Sequence, residues 1–139
     1  MRFLAVDAGD KRTGFAAGDD VLRIATPLEV AEASTREMVL AAVARITTSH
    51  GPDAIVLGLP LHMDGTESAR SAAARDLARE IAARTGLPVH LQDERLTSFD
   101  AEDRMKQSGR SRGQKKSVRD ALAACAILED FLQQRATNG

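Results

Sequence analysis

The chain has no tryptophan, no tyrosine and only four phenylalanines. Capture of splayed single-stranded bases relies on stacking against aromatic rings, so this mode of recognition is not advertised. Any contact with a nucleic acid falls to backbone or shape. A single cysteine, Cys125, excludes an internal disulfide. It stands among Ala123, Ala124 and Ala126 in a helical pattern, the setting of a small buried hydrophobe rather than a nucleophile. No apolar run approaches the ~18 residues that cross a bilayer, and the N-terminus lacks the pattern of a signal peptide. The expectation is a soluble, cytoplasmic protein with no membrane partner. There is no internal repeat and no low-complexity linker.

What is present suffices for one ordinary domain spanning 1–139, since 43% of the residues are hydrophobic. The formal net charge of -1 argues against a uniformly basic coat. It also hides a local asymmetry: from Arg104 to Arg119, "RMKQSGRSRGQKKSVR", every charged residue is basic. An electrostatic footprint is local, although such a run also suits a solvated loop.

Three short strands are expected first, at Arg2 to Val6, Thr13 to Ala17 and Val21 to Thr26, split by the turn-like "DAGDK" and "GDD". This close spacing makes an antiparallel meander. A helix opens on the capping-box signature Ser34-Thr35-Arg36-Glu37 and stops at "HGP", His50 to Pro52. Strand Ala54 to Leu57, helix Thr66 to Arg84, strand Val89 to Leu91, helix Ser98 to Gln107, a basic loop and a last helix Ser117 to Gln134 follow. The fold class is α/β, a mixed five-stranded sheet flanked by helices. In such sheets a ligand site is expected at the carboxyl ends of parallel strands.

A carboxylate closes the first strand. Burying it alone costs several kcal/mol unless it is paired or binds a metal, so Asp7 needs an explanation. Glu94 stands just past the last strand. Asp120 opens the last helix, in line with Ala124, Ile127 and Phe131 on one apolar stripe. Three carboxylates without a Cys/His cluster suit hard divalent cations, Mg²⁺ or Mn²⁺, and paired ions of that kind hydrolyse phosphodiesters. Each residue also has a plainer reading. Asp7 fits a turn, Asp120 complements a helix N-terminus, and Glu94 has Arg95 and Arg79 as candidate surface partners.

Four ordered segments, "FLAVDAGDKRTGFAAGD", "VLGLPLHMDGTES", "LQDERLTS" and "KKSVRDALAACAILEDFL", resemble the YqgF family, also called RuvX, of the RNase H-like superfamily. The resemblance implies an RNase H-like fold with three antiparallel N-terminal strands followed by parallel ones, and an acidic metal site of Asp7, Glu94 and Asp120. It implies a nuclease that trims the 5′ end of the small-subunit (16S) ribosomal RNA precursor or resolves Holliday junctions. The partner is then structured RNA or branched DNA, and the protein a monomer or, for paired cuts at a junction, a homodimer. Thr13, where the family usually has a branched aliphatic residue, and His62, where Asn is frequent, depart from the pattern.

The remaining motif residues then acquire expected roles. Gly9 allows a tight turn and close approach of a phosphate, and Lys11 and Arg12 face the nucleic-acid backbone. Arg95 either holds Glu94 or reaches the scissile phosphate. Arg110, Arg112, Lys115, Lys116 and Arg119 bring phosphate to the carboxylates, with affinity falling steeply with salt. The turn from Asp64 to Thr66 leads to a helix start that favours an anion. His62 is a weaker candidate for substrate contact; His50 and His90 read as structural. Two rivals are an actin-like ATPase, which needs two lobes, and a binding module that keeps the fold without chemistry.

Overall fold

A computed structural model describes residues 1–95 and 112–138, the two ends of the last helix as backbone only. The helix expected over 98–107, and Arg104, Lys106 and Arg110, lie outside the described residues. The strands are β1 (Arg2–Ala8), β2 (Arg12–Asp19), β3 (Ala25–Glu32), β4 (Ala54–Leu59) and β5 (Val89–Asp93). The helices are α1 (Arg36–His50), α2 (Ala69–Thr85) and α3 (Arg112–Asn138).

The sheet order is β3-β2-β1-β4-β5. The β1–β2 and β2–β3 pairs are antiparallel; the β1–β4 and β4–β5 pairs are parallel. The short turns after β1 and β2 permit only antiparallel returns, whereas α1 and α2 are the crossovers that parallel pairing requires. Alternation along β1 sorts its side chains. Leu4 and Val6 join Val43, Ile46, Leu77 and Ile81 under α1 and α2. Phe3 and Ala5 join Val56, Ala124, Ile127 and Leu128 under α3. Cys125 is buried in that second cluster, as its alanine neighbours indicate.

Most elements run a few residues longer than the sequence reading, and α2 starts at Ala69, capped by Ser68, rather than at Thr66; three further differences change the picture. The third strand is not Val21 to Thr26 but Ala25–Glu32. Val21, Leu22 and Ile24 are 80%, 68% and 60% exposed. Asp19 sets the turn: its Oδ1 accepts the N–H of Val21 at 2.9 Å and of Leu22 at 2.6 Å, and Arg23 takes φ 57°. The true strand carries Pro27, tolerated because β3 is an edge. The α1 cap is Thr35, not Ser34; its hydroxyl accepts the N–H of Met38 at 3.2 Å. Finally, α3 begins at Arg112, so Arg112, Lys115 and Lys116 lie on the helix rather than in a loop before it, and Asp120 lies well inside the helix rather than opening it, which removes complementation of the helix N-terminus as its role.

Thr13 has a measurable consequence. It is fully buried in β2, and its hydroxyl has no hydrogen-bond partner among the described residues. Valine keeps the β-branched shape and removes the orphaned hydroxyl. Thr13→Val therefore stabilises the protein by about 1 kcal/mol, read as a higher urea midpoint with unchanged slope.

Candidate active site

Alternation carries the β1 pattern one step further. Asp7 follows Phe3 and Ala5 onto the α3 face, at the carboxyl end of β1. Its neighbour in register on β2 is Gly14. A Cβ at Gly14 would lie 2.0 Å from the Asp120 carbonyl oxygen, so this glycine lets α3 rest directly on the sheet at Asp120, beside Asp7. On the other side Gly58 ends β4, and a Cβ there would meet Glu94 Oε2 at 2.3 Å. Glu94 follows β5 and is anchored by its own N–H, which donates to the Leu59 carbonyl at 3.3 Å. Two missing side chains thus create the space in which the three carboxylates approach.

The carboxylates are not equivalent. Asp7 is pushed up to about 7, first by burial, then by the charges of Glu94 and Asp120 and by a hydrogen bond with Glu94; Arg70 opposes the rise. Glu94 is also raised, chiefly by burial, with Arg70 and the hydrogen bond from Asp7 pulling the other way. The pair therefore shares a proton held by Asp7, as like charges at contact require. Asp120 contributes charge to Asp7, but its Oδ2 accepts a 2.7 Å hydrogen bond from Arg12 Nε. In this arrangement no three Asp, Glu, His or Cys side chains among the described residues are grouped as an ion cage.

The expected phosphate contacts are differently occupied. Arg12 is paired with Asp120 rather than displayed to solvent. Arg95 does not hold Glu94. It pairs with Asp93 at 2.7 Å and donates to the Met63 carbonyl at 3.1 Å, tying β5 to the turn before α2. Gly9 closes the β1–β2 turn, its N–H donating to the Arg12 carbonyl at 2.9 Å. Lys11 and Arg119 are exposed. Arg112, Lys115 and Lys116 have described backbones only, and Arg110 lies outside the described residues. Asp64 accepts from the Thr66 N–H and hydroxyl, so the turn is self-satisfied, with His62 exposed beside it. His90 packs edge-on against Phe3 and tilted against Phe131, a structural role.

Arg70, on the first turn of α2, was not singled out by motif, yet its charge reaches both Asp7 and Glu94. The signal was its spacing: Arg70 precedes Ala73, Ala74 and Leu77 at three, four and seven residues, which sets this exposed cation at the edge of the packed face of α2. These residues line a cleft of about 260 Å³ that opens at Gly58 and Glu94.

The three carboxylates offer only hard oxygen donors, the donor chemistry that suits Mg²⁺ or Mn²⁺. Among the described residues no helix is long and apolar enough to cross a membrane.

The chain was compared with known proteins. The sequence model of the RuvX family, described as Holliday junction resolvase, matches residues 1–134. A relative from Anaeromyxobacter sp. (strain Fw109-5), named "Putative pre-16S rRNA nuclease", is 45% identical over 135 residues, covering 97% of this chain and 98% of its own. One from Chromobacterium violaceum with the same name is 40% identical, covering 96% and 98%. Among solved structures, T. thermophilus RuvC bound to Holliday junction substrate matches with TM-score 0.62 at 20% identity, covering 100% of this chain and 98% of that one. Fowlpox virus resolvase with junction DNA gives 0.62 at 12%, covering 97% and 99%. The fold is thus RNase H-like, as the sequence resemblance implied.

Proposed function

From the premise that this chain belongs to the RuvX family, we propose that it is a divalent-metal-dependent nuclease that hydrolyses phosphodiester bonds at Asp7, Glu94 and Asp120. The observation that carries this reading is the placement of Asp7 and Glu94 at the ends of two strands running parallel, with Asp120 brought beside Asp7 by Gly14. A structural ion pair would not bury two acids against each other, because that arrangement costs stability unless a cation is to be received.

Asp7, Glu94 and Asp120 would hold the ion. When bound, it supplies Lewis-acid stabilisation of the phosphate and a lowered pKa for the attacking water. The protein's own part is preparatory. To ligate an ion Asp7 would have to be deprotonated and Asp120 would have to give up its hydrogen bond from Arg12; the Arg12 guanidinium, with five donors, would then be free to suit phosphate oxygens. Gly58 leaves room for the Glu94 carboxylate, and the Leu59 carbonyl fixes the chain that carries it.

For the substrate we favour the small-subunit rRNA precursor, at the 5′ leader that the sequence resemblance implies; relatives at 40–45% identity carry the name "Putative pre-16S rRNA nuclease". The resolvase neighbours, at 12–20%, support the fold. The test offers a structured precursor-rRNA leader and a four-way DNA junction to wild type, Glu94→Gln and Asp120→Asn in Mn²⁺ or Mg²⁺. Leader cleavage that needs the ion and falls at least ~10²-fold in both variants is expected. Paired cuts at the junction alone would transfer the assignment to resolution, and ion-independent or variant-insensitive cleavage would remove the acidic centre from the chemistry.

A further inference from the structure

We propose that Arg70 is a substrate contact, binding a non-bridging phosphate oxygen of the strand that lies across the acidic centre; this rests on the nuclease reading above. The argument begins with how the neighbouring guanidiniums are used. Arg12 touches Asp120 at 2.7 Å and Arg95 touches Asp93 at 2.7 Å. Arg36 is turned to Glu80 at 3.6 Å and to the Ala73 carbonyl at 3.4 Å. Arg70 makes no hydrogen bond or ion pair among the described residues, although its charge acts on Asp7 and Glu94 together.

A guanidinium serving only as counter-ion to those acids would be expected in contact with one of them, as Arg12 and Arg95 are with theirs. Arg70 instead shares an open cleft with Glu94, floored by Leu57 and Leu77 and bounded by Gly9 and Gly58. A cation lining the same cleft as Glu94 without contacting it leaves space for a group of opposite charge. A phosphodiester brought to carboxylates needs such a cation on its far side, because each phosphate oxygen otherwise meets negative charge. The backbone under Arg70 is firm: Ser68 accepts the Ser71 N–H at 3.0 Å and Ser71 Oγ accepts the Ser68 N–H at 2.7 Å. Its planar fork is thus presented from a rigid first turn rather than from a loop.

The test measures binding, so that it does not depend on turnover. A fluorescein-labelled RNA stem with a 5′ single-stranded leader and a labelled four-way junction are titrated by anisotropy across a salt series with wild type, Arg70→Ala and Arg70→Lys. Calorimetry with Mn²⁺ alone runs in parallel. In Arg70→Ala the dissociation constant for the preferred probe rises about tenfold or more, and the salt slope becomes shallower by about one. Arg70→Lys recovers the slope and only part of the affinity. Mn²⁺ affinity is unchanged or tighter, because a neighbouring positive charge has gone. Equal affinity and slope in wild type and Arg70→Ala overturn the proposal, as does an effect on Mn²⁺ alone, the mark of a plain counter-charge. A wild type that binds but does not cut refutes the nuclease reading and leaves Arg70 to be decided by the same curves; one that binds neither probe refutes both.

Discussion

Asp7→Asn melts higher than wild type at pH 8 in metal-free buffer, by on the order of 5–10 °C, while its cleavage falls by about 10²–10³ or more. The two effects share one cause. Folding pushes Asp7 up to about 7 from its ordinary value of 3.8, so between those values the folded chain keeps a proton that the unfolded chain has lost. Stability from this group is fully present below about 4 and is lost as pH rises through 7. Above that, the penalty is roughly 2–4 kcal/mol, allowing for the sharing of the proton with Glu94. Asparagine is the neutral isostere and escapes the penalty, so its advantage shrinks steadily as pH falls from 7 to 4. Mn²⁺ offsets the penalty in wild type and raises its melting temperature at pH 8, but not that of the variant. An Asp7→Asn protein less stable than wild type at pH 8 would show that Asp7 is a structural anchor rather than a site kept under charge strain.

Much of this centre was legible because strand alternation is a strict rule. An acid after Phe3 and Ala5 must share their face, and the same parity takes the line His90, Gln92 to Glu94. The stripe Asp120, Ala124, Ile127 likewise turned Asp120 inward, and Ala124 and Ile127 are fully buried. What escaped was set by partners far along the chain. Arg12 looked like a solvent-facing cation because Asp120, 108 residues away, gives no local sign of pairing with it. Arg95 stood open between holding Glu94 and reaching a phosphate, because adjacency along the chain does not say which way a side chain turns; in the turn after β5 it pairs with Asp93. The third strand was misplaced because Val21, Leu22 and Ile24 are apolar. Asp19, accepting two backbone N–H groups, fixes them in a turn, while the real edge strand, with Pro27, Glu29 and Glu32, has half-polar composition.

Gly58 and Gly14 separate the fold from the chemistry. Both lie on the α3 face beside a carboxylate, and an added methyl collides at both, but with different atoms. At Gly58 the Cβ meets Glu94 Oε2 at 2.3 Å and Ile127 Cδ1 at 2.8 Å, the far ends of two side chains that can turn away. Gly58→Ala therefore costs only about 1 kcal/mol in urea unfolding, but the displaced Glu94 carboxylate lowers kcat by about 10²-fold. At Gly14 the Cβ meets the Asp120 carbonyl oxygen at 2.0 Å, its carbon at 2.4 Å and the Ala121 nitrogen at 3.0 Å. Backbone cannot rotate aside, so α3 must lift from β2 at Asp120 and Ala121, loosening the contacts of Ala124 and Ile127 as well. Gly14→Ala is expected to lose about 3 kcal/mol, the upper range of overpacking, and to lose activity with it because Asp120 leaves with the helix. If Gly58→Ala kept full activity, Glu94 would not act from the position that Gly58 shapes; equal stability losses in the two variants would mean that α3 is free to shift as a body at no greater cost than a turning side chain.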